Sequence, residues 1–266
     1  PDVENSRQDF DPIDKFLWPN MRFGVSYNGG KWFEPAKYLA DYYTDEAVTA
    51  IHKNRNRPFF LYLAHWGVHT PLQASKADYD ALSSIPDHRR RVYMAMVKSI
   101  DRSVGRVLQT LKEEGLDDNT IVIFASDNGA PNYIGLPDVN SPYRGWKLTM
   151  FEGGLRVPYM AKWPGHIAPG TQYKAPITNI DILPTVVAAA GGTLPQDRTI
   201  DGVNLLPYLG AKPAAQPARF LFWRDGPYRA MRDATWKLIV SERPKKEWLF
   251  NLASDPTEKT NLATEQ

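Results

Sequence analysis

A carboxylate and a carboxamide stand side by side at Asp127 and Asn128, directly after the apolar run 120–125. The run is rich in β-branched residues and scarcely alternates, a pattern typical of a strand buried on both faces of a sheet. Open α/β sheets place their ligand sites at the carboxyl ends of such strands. Carboxylate and amide oxygens are hard donors that suit calcium or magnesium. Asp-Asn-Gly is also ordinary turn sequence, so a structural turn is the competing interpretation.

Two histidines and a lysine extend this pattern. His65 and His69 follow a second apolar run, 58–64, which is predicted to form another buried strand, and Lys147 lies in a glycine-containing loop. Taken alone, a histidine or lysine at such a place is more often packed or solvated than functional. Taken together, the residues predict one cleft, in which the functional atoms of His69, Lys147 and the Asp127–Asn128 pair lie within about 10 Å of one another.

The remaining pattern predicts an α/β protein with a small appendage. Helices are predicted from Thr44 to about Asn54, over 87–114 and over 181–190, and a short strand over 157–161. After a Pro- and Ala-rich linker, four short alternating segments predict antiparallel strands. We therefore predict a mixed, largely parallel sheet flanked by helices in residues 1–212 and a small antiparallel α+β subdomain in residues 213–266.

The composition restricts the class of protein. The 266 residues are 42% hydrophobic and 23% charged, with a net charge of +2, as expected for a globular protein with a sizeable core. We expect no nucleic-acid partner, because no basic block stands out, and no membrane span, because no apolar run is long enough. The absence of cysteine excludes disulfides, thiolate metal sites and a cysteine nucleophile.

The motifs, taken together, resemble the sulfatase family of the alkaline-phosphatase superfamily. The resemblance extends over about residues 40 to 264, and its matching phrases are 58–63, 69–73, 126–129, 144–147, 152–158 and 251–256. The amino-acid sequence around residues 61–73 and 140–154 is most similar to arylsulfatases of the N-acetylgalactosamine-4-sulfatase type. The resemblance implies an alkaline-phosphatase-like fold and hydrolysis of sulfate esters in a sulfated small molecule or a sulfated glycan.

The resemblance also implies roles for single residues. Asp127 and Asn128 match two ligands of the one calcium ion that the family binds. His69 matches a histidine that contacts the sulfate and assists departure of the alcohol oxygen, and Lys147 matches a lysine that binds the sulfate and the leaving oxygen. These residue types fit the chemistry, because cleavage builds negative charge on the bridging oxygen, which a proton donor or a cation stabilises.

The chain departs from the family at the nucleophile. Sulfatases use a formylglycine made from the first residue of a Cys/Ser-x-Pro-x-Arg motif, whereas here the nearest candidate, 84–88, places its arginine one position late, at Arg89. An early Asp-Asp pair is also absent. We therefore expect a C-terminal portion of a sulfatase that is inert alone, with the formylglycine on an N-terminal portion. An exposed sheet edge would be covered by that fragment or by a second copy.

Two other functions stay open. Phosphatases and phosphodiesterases of the superfamily typically have Asp-His-Gly where this chain has Asp127-Asn128-Gly129, since imidazole suits zinc and amide oxygen suits calcium. Asn128 therefore favours the sulfatase. The second alternative is a non-catalytic homologue that binds sulfated glycans. His65 and Trp66 have two interpretations of their own: they line the mouth of a substrate site, where an aromatic ring would stack on a sugar, or they have a core or rim role. From the resemblance we expect export to the periplasm or the cell exterior, or to lysosomes in animals.

Overall fold

A computed structural model of the protein describes the backbone of residues 3–5 and the whole of residues 24–210 and 218–263. The chain forms two compact units. Unit 1 contains Pro1–Asp117 and Tyr133–Leu136, and unit 2 contains Asp118–Asn132 and Pro137–Gln266. Within the described residues, no helix has both the length and the apolar character needed to cross a bilayer.

Unit 1 is built from two helices of some length and several short elements. Its elements are β1 (Val3–Asn5), β2 (Val25–Ser26), β3 (Trp32–Phe33), α1 (Leu39–Asn54), β4 (Gln73–Ser75), α2 (Lys76–Asp80) and α3 (His88–Glu113). β1 pairs with β4 and β2 with β3, both antiparallel. Helices α1 and α3 are linked by ion pairs from Arg102 to Asp41 (3.0 Å) and from Arg106 to Asp45 (2.7 Å).

Helix α3 confirms the helix predicted over 87–114. The side chain of Asp87 accepts a hydrogen bond from the backbone N–H of Arg90 at 2.7 Å, which caps the first turn. Gly115 follows the last turn with a φ of 68°, a left-handed conformation that glycine adopts most easily. Both ends of α3 therefore lie where the capping chemistry predicts.

Helix α1 begins earlier than predicted. It starts at Leu39 rather than at Thr44, so Thr44 does not cap it. The Thr44 hydroxyl instead donates to the carbonyl oxygen of Ala40 at 2.6 Å, one turn back in the same helix, and is fully buried. A threonine hydroxyl can serve either purpose, and here the bond to residue i−4 wins.

The strand predicted over 58–64 is not formed, and this prediction was wrong. No described segment pairs with these residues, and their large apolar side chains are exposed: Phe60 is 76% and Tyr62 81% accessible. A strand requires ladder hydrogen bonds from a neighbour, and an apolar pattern cannot supply them. In the structure, residues 58–64 form a connection without strand pairing to the described residues, and this connection leads to His65.

Unit 2 contains two separate sheets. Its elements are β5 (Val122–Ala125), α4 (Glu152–Leu155), β6 (Tyr159–Lys162), α5 (Ile182–Ala189), α6 (Leu206–Leu209), β7 (Leu221–Asp225), β8 (Tyr228–Arg232), β9 (Trp236–Glu242) and β10 (Lys245–Asn251). A short 3-10 turn occurs at Asn179–Asp181, and two others, Asp117–Asn119 and Asn132–Ile134, include residues of both units. β5 pairs with β6, and the other sheet has the order β7-β8-β9-β10.

Strand β5 confirms the strand predicted before Asp127, although its surroundings differ from the prediction. Each of its four residues is half-buried rather than buried on both faces, and its neighbour β6 is antiparallel. All the strand pairs in residues 3–5, 24–210 and 218–263 are antiparallel. The largely parallel sheet is therefore not observed in this part of the chain and stays a prediction.

The four-stranded sheet confirms the antiparallel strands predicted near the C-terminus. Along β9, Lys237, Ile239 and Ser241 are buried and alternate with more accessible residues. Ile239 belongs to a core cluster of Met150, Ala230, Ile239, Phe250 and Leu252. This core packs under Phe151, next to α4. The boundary predicted between residues 212 and 213 falls outside the described residues and stays a prediction.

Candidate active site

The end of β5 places the Asp127–Asn128 pair. The backbone N–H of Ser126 donates to the carbonyl oxygen of Pro158 at 3.2 Å, which continues the pairing with β6 by one residue. The amide of Asn179 donates to the Ser126 carbonyl oxygen at 3.0 Å and holds the strand end from a second direction. Beyond this point Asp127 is exposed and Asn128 half-buried, so both side chains are accessible at the end of a fixed strand.

The turn after Asn128 lies directly against α4. The N–H of Gly129 donates to the carbonyl oxygen of Gly154 at 3.0 Å, and the N–H of Gly153 donates to that of Arg144 at 2.6 Å. A Cβ added at Gly129 would lie 1.8 Å from the Gly153 oxygen, closer than any real contact. Glycine is therefore required here by close backbone approach. The short helix α4 joins the strand end to the loop that begins at Arg144.

That loop carries Lys147. The N–H of Lys147 donates to the carbonyl oxygen of Ala130 at 3.2 Å. The side-chain amide of Asn140 bonds to both backbone groups of Ala130. It accepts a hydrogen bond from the Ala130 N–H at 2.9 Å and donates one to the Ala130 carbonyl oxygen at 2.7 Å. The Asn140 amide also reaches the carbonyl oxygen of Gly145 at 3.3 Å. The backbone of Lys147 is thus hydrogen-bonded to Ala130, the third residue after Asp127. Lys147 is half-buried in this position.

A cluster of buried charged side chains contacts the first residue of α4. Glu152, the first residue of α4, is 1% exposed and lies 2.9 Å from the ammonium of Lys237 and 3.2 Å from the guanidinium of Arg232. Its backbone N–H donates to the carboxylate of Glu258 at 2.6 Å. Lys237 lies 2.9 Å from Glu258 as well, and both are fully buried. Two carboxylates and two cations therefore balance in one buried cluster, as buried charges require.

His69 lies in unit 1 and is exposed. Its Nδ1 lies 2.8 Å from the carbonyl oxygen of Thr70. Because a carbonyl oxygen can only accept, Nδ1 carries the hydrogen, and Nε2 is the nitrogen that would exchange a proton with a substrate. The N–H of His69 donates to the carbonyl oxygen of Trp66 at 2.9 Å, which fixes the turn that carries the ring.

His65 has a structural environment in unit 1. Its Nε2 lies 2.8 Å from the hydroxyl of Ser103, which lies 2.6 Å from that of Thr44. Its Nδ1 is buried and has no hydrogen-bond partner in the described part of the chain. Burial lowers the pKa of the His65 imidazole, so the neutral ring is favoured. Ser103 and Thr44 lie on α3 and α1, so this histidine helps to join two helices. Trp66 beside it is 56% exposed.

The structure unites part of the predicted site. Asp127, Asn128 and Lys147 belong to unit 2 and are connected through the backbones of Gly129 and Ala130. His69 belongs to unit 1, so its place in a common cleft stays a prediction. The sequence analysis missed the supporting residues Asn140, Lys237 and Glu258, and it included Glu152 only as part of the motif 152–158. A usable signal was the lysine at an inward position of the alternating run 236–242, where an apolar residue is expected.

The donor set at the strand end fits a hard cation in part. Asp127 and Asn128 offer a carboxylate and an amide oxygen from consecutive residues, which suit calcium. Among the described residues, His, Asp and Glu side chains form no group of three or more that could hold a metal ion. The pair would therefore supply two of the roughly six to eight oxygens that calcium prefers.

Comparison with known families decides the relationship. The family model described as Sulfatase matches residues 4–192. The chain belongs to the sulfatase family. A second model, described as N-sulphoglucosamine sulphohydrolase, C-terminal, matches residues 144–266, so the sulfatase likeness extends through the four-stranded sheet. The family resemblance found in the sequence is thereby confirmed.

Two curated relatives show the extent of this likeness. The uncharacterized sulfatase YdeN of Escherichia coli is 38% identical over 220 residues, which are 79% of this chain and 39% of the relative. Human N-acetylgalactosamine-6-sulfatase is 41% identical over 175 residues, 64% of this chain and 32% of the relative. The chain thus spans between about a third and two fifths of the length of these sulfatases. The finer likeness to 4-sulfatases stays a prediction.

The crystal structure of PsFucS1 sulfatase from Pseudoalteromonas sp. matches with a TM-score of 0.74 and 26% sequence identity, over 89% of this chain and 52% of that one, so the fold is shared with a sulfatase. The crystal structure of Ps i-CgsB in complex with k-i-k-neocarrahexaose matches with a TM-score of 0.80 and 29% sequence identity. The match covers 97% of this chain and 59% of that one. The fold predicted for this member of the sulfatase family is therefore supported by solved structures as well as by the sequence.

Proposed function

We propose that this chain contributes to a sulfuric ester hydrolase that cleaves sulfate esters of carbohydrates. The observation that supports this function best is the backbone connection in unit 2 between Asp127–Asn128 and Lys147. It brings the backbone of Lys147 to within a hydrogen bond of Ala130, two residues after Asn128, so that the two oxygen donors and the lysine extend from neighbouring stretches of backbone. A cation and an ammonium are the two groups that a sulfate ester needs on its oxygens.

The residues divide the work as follows. Lys147 binds the sulfate oxygens and stabilises the charge that grows on the bridging oxygen as the bond to sulfur breaks. His69 gives the departing alcohol oxygen a proton from Nε2, while Nδ1 stays bonded to the Thr70 carbonyl. Asp127 and Asn128 would hold one calcium ion, which supplies a positive field for the sulfate oxygens when bound.

The nucleophile lies outside the residues that carry these roles. A formylglycine borne by a further segment would attack the sulfur, and this chain would orient the ester for that attack. Two names among the similar proteins support a carbohydrate substrate. One relative is named N-acetylgalactosamine-6-sulfatase, and one neighbouring structure holds a neocarrahexaose. The exposed ring of Trp146, beside Lys147 in sequence, offers a surface on which a sugar would stack.

The test uses a sulfatase polypeptide that joins this chain to a formylglycine-bearing segment. Lys147→Ala should lower kcat for sulfate release by roughly a hundredfold or more, because it removes a cation that acts on the transition state. Lys162→Ala is the matched control, since Lys162 is an exposed lysine on β6, and it should leave kcat within about twofold. Equal turnover of the two variants would remove the role given to Lys147.

His69 is tested by the leaving group. His69→Ala should lower kcat most for an alkyl or sugar sulfate, whose alcohol needs a proton, and least for nitrophenyl sulfate, whose phenolate leaves unaided. A loss of the same size for both substrates would contradict proton donation by His69. Metal analysis of the same polypeptide separates a sulfatase from a phosphatase of the superfamily, because calcium fits Asn128 whereas zinc would favour the phosphatase.

A further inference from the structure

Glu258 combines two unfavourable properties. Its φ is 58°, in the left-handed region, where the backbone of most residues other than glycine and asparagine is strained. It is also fully buried, although it carries a carboxylate. Burial raises the pKa of the Glu258 carboxyl, and the nearby ammonium of Lys237 opposes that rise. A glycine would satisfy the backbone at lower cost, so the side chain of Glu258 must be held by what it contacts.

The contacts of its carboxylate lead to the first residue of α4. One carboxylate oxygen accepts a hydrogen bond from the backbone N–H of Glu152 at 2.6 Å. The other lies 2.9 Å from the ammonium of Lys237, which also pairs with the Glu152 side chain at 2.9 Å. The guanidinium of Arg144 donates to the Glu258 carbonyl oxygen at 3.1 Å. Glu258 therefore binds both the peptide N–H and the charge partner of Glu152.

The loop around Glu258 is itself firmly held. The N–H of Glu258 donates to the carbonyl oxygen of Asp255 at 3.2 Å. The carboxylate of Asp255 accepts from the N–H of Thr260 at 2.9 Å, and the amide of Asn261 accepts from the N–H of Leu249 at 2.9 Å. The carboxylate of Glu258 is thus presented from a fixed loop that is tied to β10.

Helix α4 is the element on which both parts of the unit 2 site rest. Gly154 accepts the hydrogen bond from Gly129, next to Asn128, and Gly153 donates to Arg144, three residues before Lys147. Cβ atoms added at Gly153 or Gly154 would lie 2.4 Å from carbonyl oxygens of this loop. A shift of α4 would therefore displace the strand end, the lysine loop, or both.

We propose that Glu258 is a positioning residue for this site, with Lys237 as its counter-ion. Its carboxylate fixes the peptide of Glu152, and α4 in turn fixes the separation between Asp127–Asn128 and Lys147. This inference deepens the proposed function and rests on it only for the importance of that separation. It assigns the C-terminal sheet and the loop after β10 a part in catalysis.

The strained backbone provides a test with opposite expected signs. If Glu258 only fills a turn, Glu258→Gly relieves strain and slows exchange of the surrounding amides with deuterium. If it positions α4, the same substitution releases the Glu152 peptide. Hydrogen exchange of the amides of Gly129, Lys147 and Gly153 should then quicken by about tenfold or more, while amides of α5 change by less than about twofold.

Asn28→Gly is the matched control for the backbone. Asn28 has a φ of 50°, is exposed, and lies in unit 1. This substitution makes the same change of conformational freedom without removing a buried carboxylate, so exchange at Gly129, Lys147 and Gly153 should be unchanged. Slower, unchanged or uniformly faster exchange in Glu258→Gly would overturn the proposal, because none of these results indicates a local release of α4.

A pair of double variants decides the matter if Glu258→Gly does not fold. Lys237→Met/Glu258→Gln and Lys237→Met/Glu258→Leu both remove one buried cation and one buried carboxylate, which leaves the charges balanced. Only the glutamine keeps an acceptor for the N–H of Glu152. The glutamine variant should therefore retain slow exchange at Gly129 and Gly153, and the leucine variant should lose it. Identical exchange in the two variants would sink the idea.

Turnover separates positioning from simple stability. In the joined sulfatase polypeptide, Glu258→Gly should lower kcat by about tenfold or more with KM changed by less than about threefold, because a displaced Lys147 loses contact chiefly with the transition state. A rise in KM alone would contradict positioning. Exchange in the 266-residue chain does not depend on turnover. If Lys147→Ala leaves activity intact, the proposed function fails, while the exchange result still decides how α4 is held.

Discussion

Gly129 and Gly153 pass so close that the carbonyl oxygen of Gly153 occupies the place of a Gly129 side chain, 1.8 Å from an ideal Cβ. The neighbouring Gly129 N–H bonds to Gly154 at 3.0 Å, so the approach is part of a hydrogen-bonded arrangement. The end of β5 and α4 can take this arrangement only without a side chain at residue 129.

This contact predicts opposite effects of two glycine substitutions. Gly129→Ala should lower the free energy of unfolding by about 3 kcal/mol, because backbone must move to admit the methyl group. Gly105, in the interior of α3, has nothing within 4 Å of its ideal Cβ. Gly105→Ala should therefore stabilise the chain by about 0.5–1 kcal/mol. Urea titrations of both variants measure the difference, and a tolerated Gly129→Ala would show that the approach is not obligatory.

The His65 cluster predicts a loss of stability in acid. Since burial lowers the folded-state pKa of His65 below its ordinary 6.5, the unfolded state binds more protons just below that pH. Stability contributed by the neutral ring is therefore present above this range and declines as pH falls through it. The free energy of unfolding should fall as the pH is lowered through and below the ordinary pKa of histidine, since an Nδ1–H in the buried ring would lack an acceptor.

Two variants check the source of that loss. His65→Gln should remove this part of the pH dependence, because glutamine does not titrate. Thr44→Val removes a hydroxyl from the same cluster without removing a titrating group. It should lower stability alike above and below the ordinary pKa of histidine. A pH dependence that survives His65→Gln unchanged would assign the acid loss to other groups.

The unpaired stretch near Phe60 and Tyr62 predicts self-association of the 266-residue chain. Its exposed apolar side chains and free backbone offer an edge to another chain. Tyr62→Lys should shift the chain toward monomer in sedimentation velocity at unchanged stability. Leu183→Lys is the control, because Leu183 is a single exposed apolar residue on α5 and should not alter association. Association that both substitutions reduce equally would point to general stickiness instead of this segment.

The missing nucleophile predicts that the purified 266-residue chain is inert. With no cysteine and no serine in register with proline and arginine, the roles proposed for Lys147 and His69 would orient an ester but leave no group to which sulfate is transferred. Sulfate release from nitrophenyl sulfate with added calcium should equal that of a heat-treated sample. Calcium binding by titration calorimetry should be weak as well, since Asp127 and Asn128 provide too few oxygens. Turnover above the control would show that the chemistry is misassigned.

Local signals in the sequence predicted the elements whose stability is local. The capping aspartate Asp87 and the stop at Gly115 define α3, and alternation defines the four-stranded sheet. Pairing was harder, because residues 58–64 and 120–125 look alike as apolar runs, yet only the second finds a partner strand. Strand pairing depends on a segment that is distant in sequence, and an apolar run does not indicate which segment will pair with it.

The same distinction applies to the site. Asp127, Asn128 and Lys147 stand out because their motifs are continuous in sequence. Their supports do not, since Asn140 acts through the peptide of Ala130 and Glu258 through that of Glu152. Every residue has a backbone, so a side chain that bonds to backbone does not restrict the identity of its partner. Such pairs are therefore found only in the folded structure.

The hydrogen bond from Glu152 to Glu258 spans 106 residues of chain. When the polypeptide is made on a ribosome, residues 126–154 therefore emerge well before the carboxylate that fastens α4. At about 5–20 residues per second, this interval lasts about 5–20 s. During that time α4 lacks this hydrogen bond, so under the proposal above the strand end and the lysine loop reach their final geometry only after Glu258 has been synthesised. A polypeptide assembled in this order completes the support of its proposed sulfate site more than 100 residues after α4 has been made.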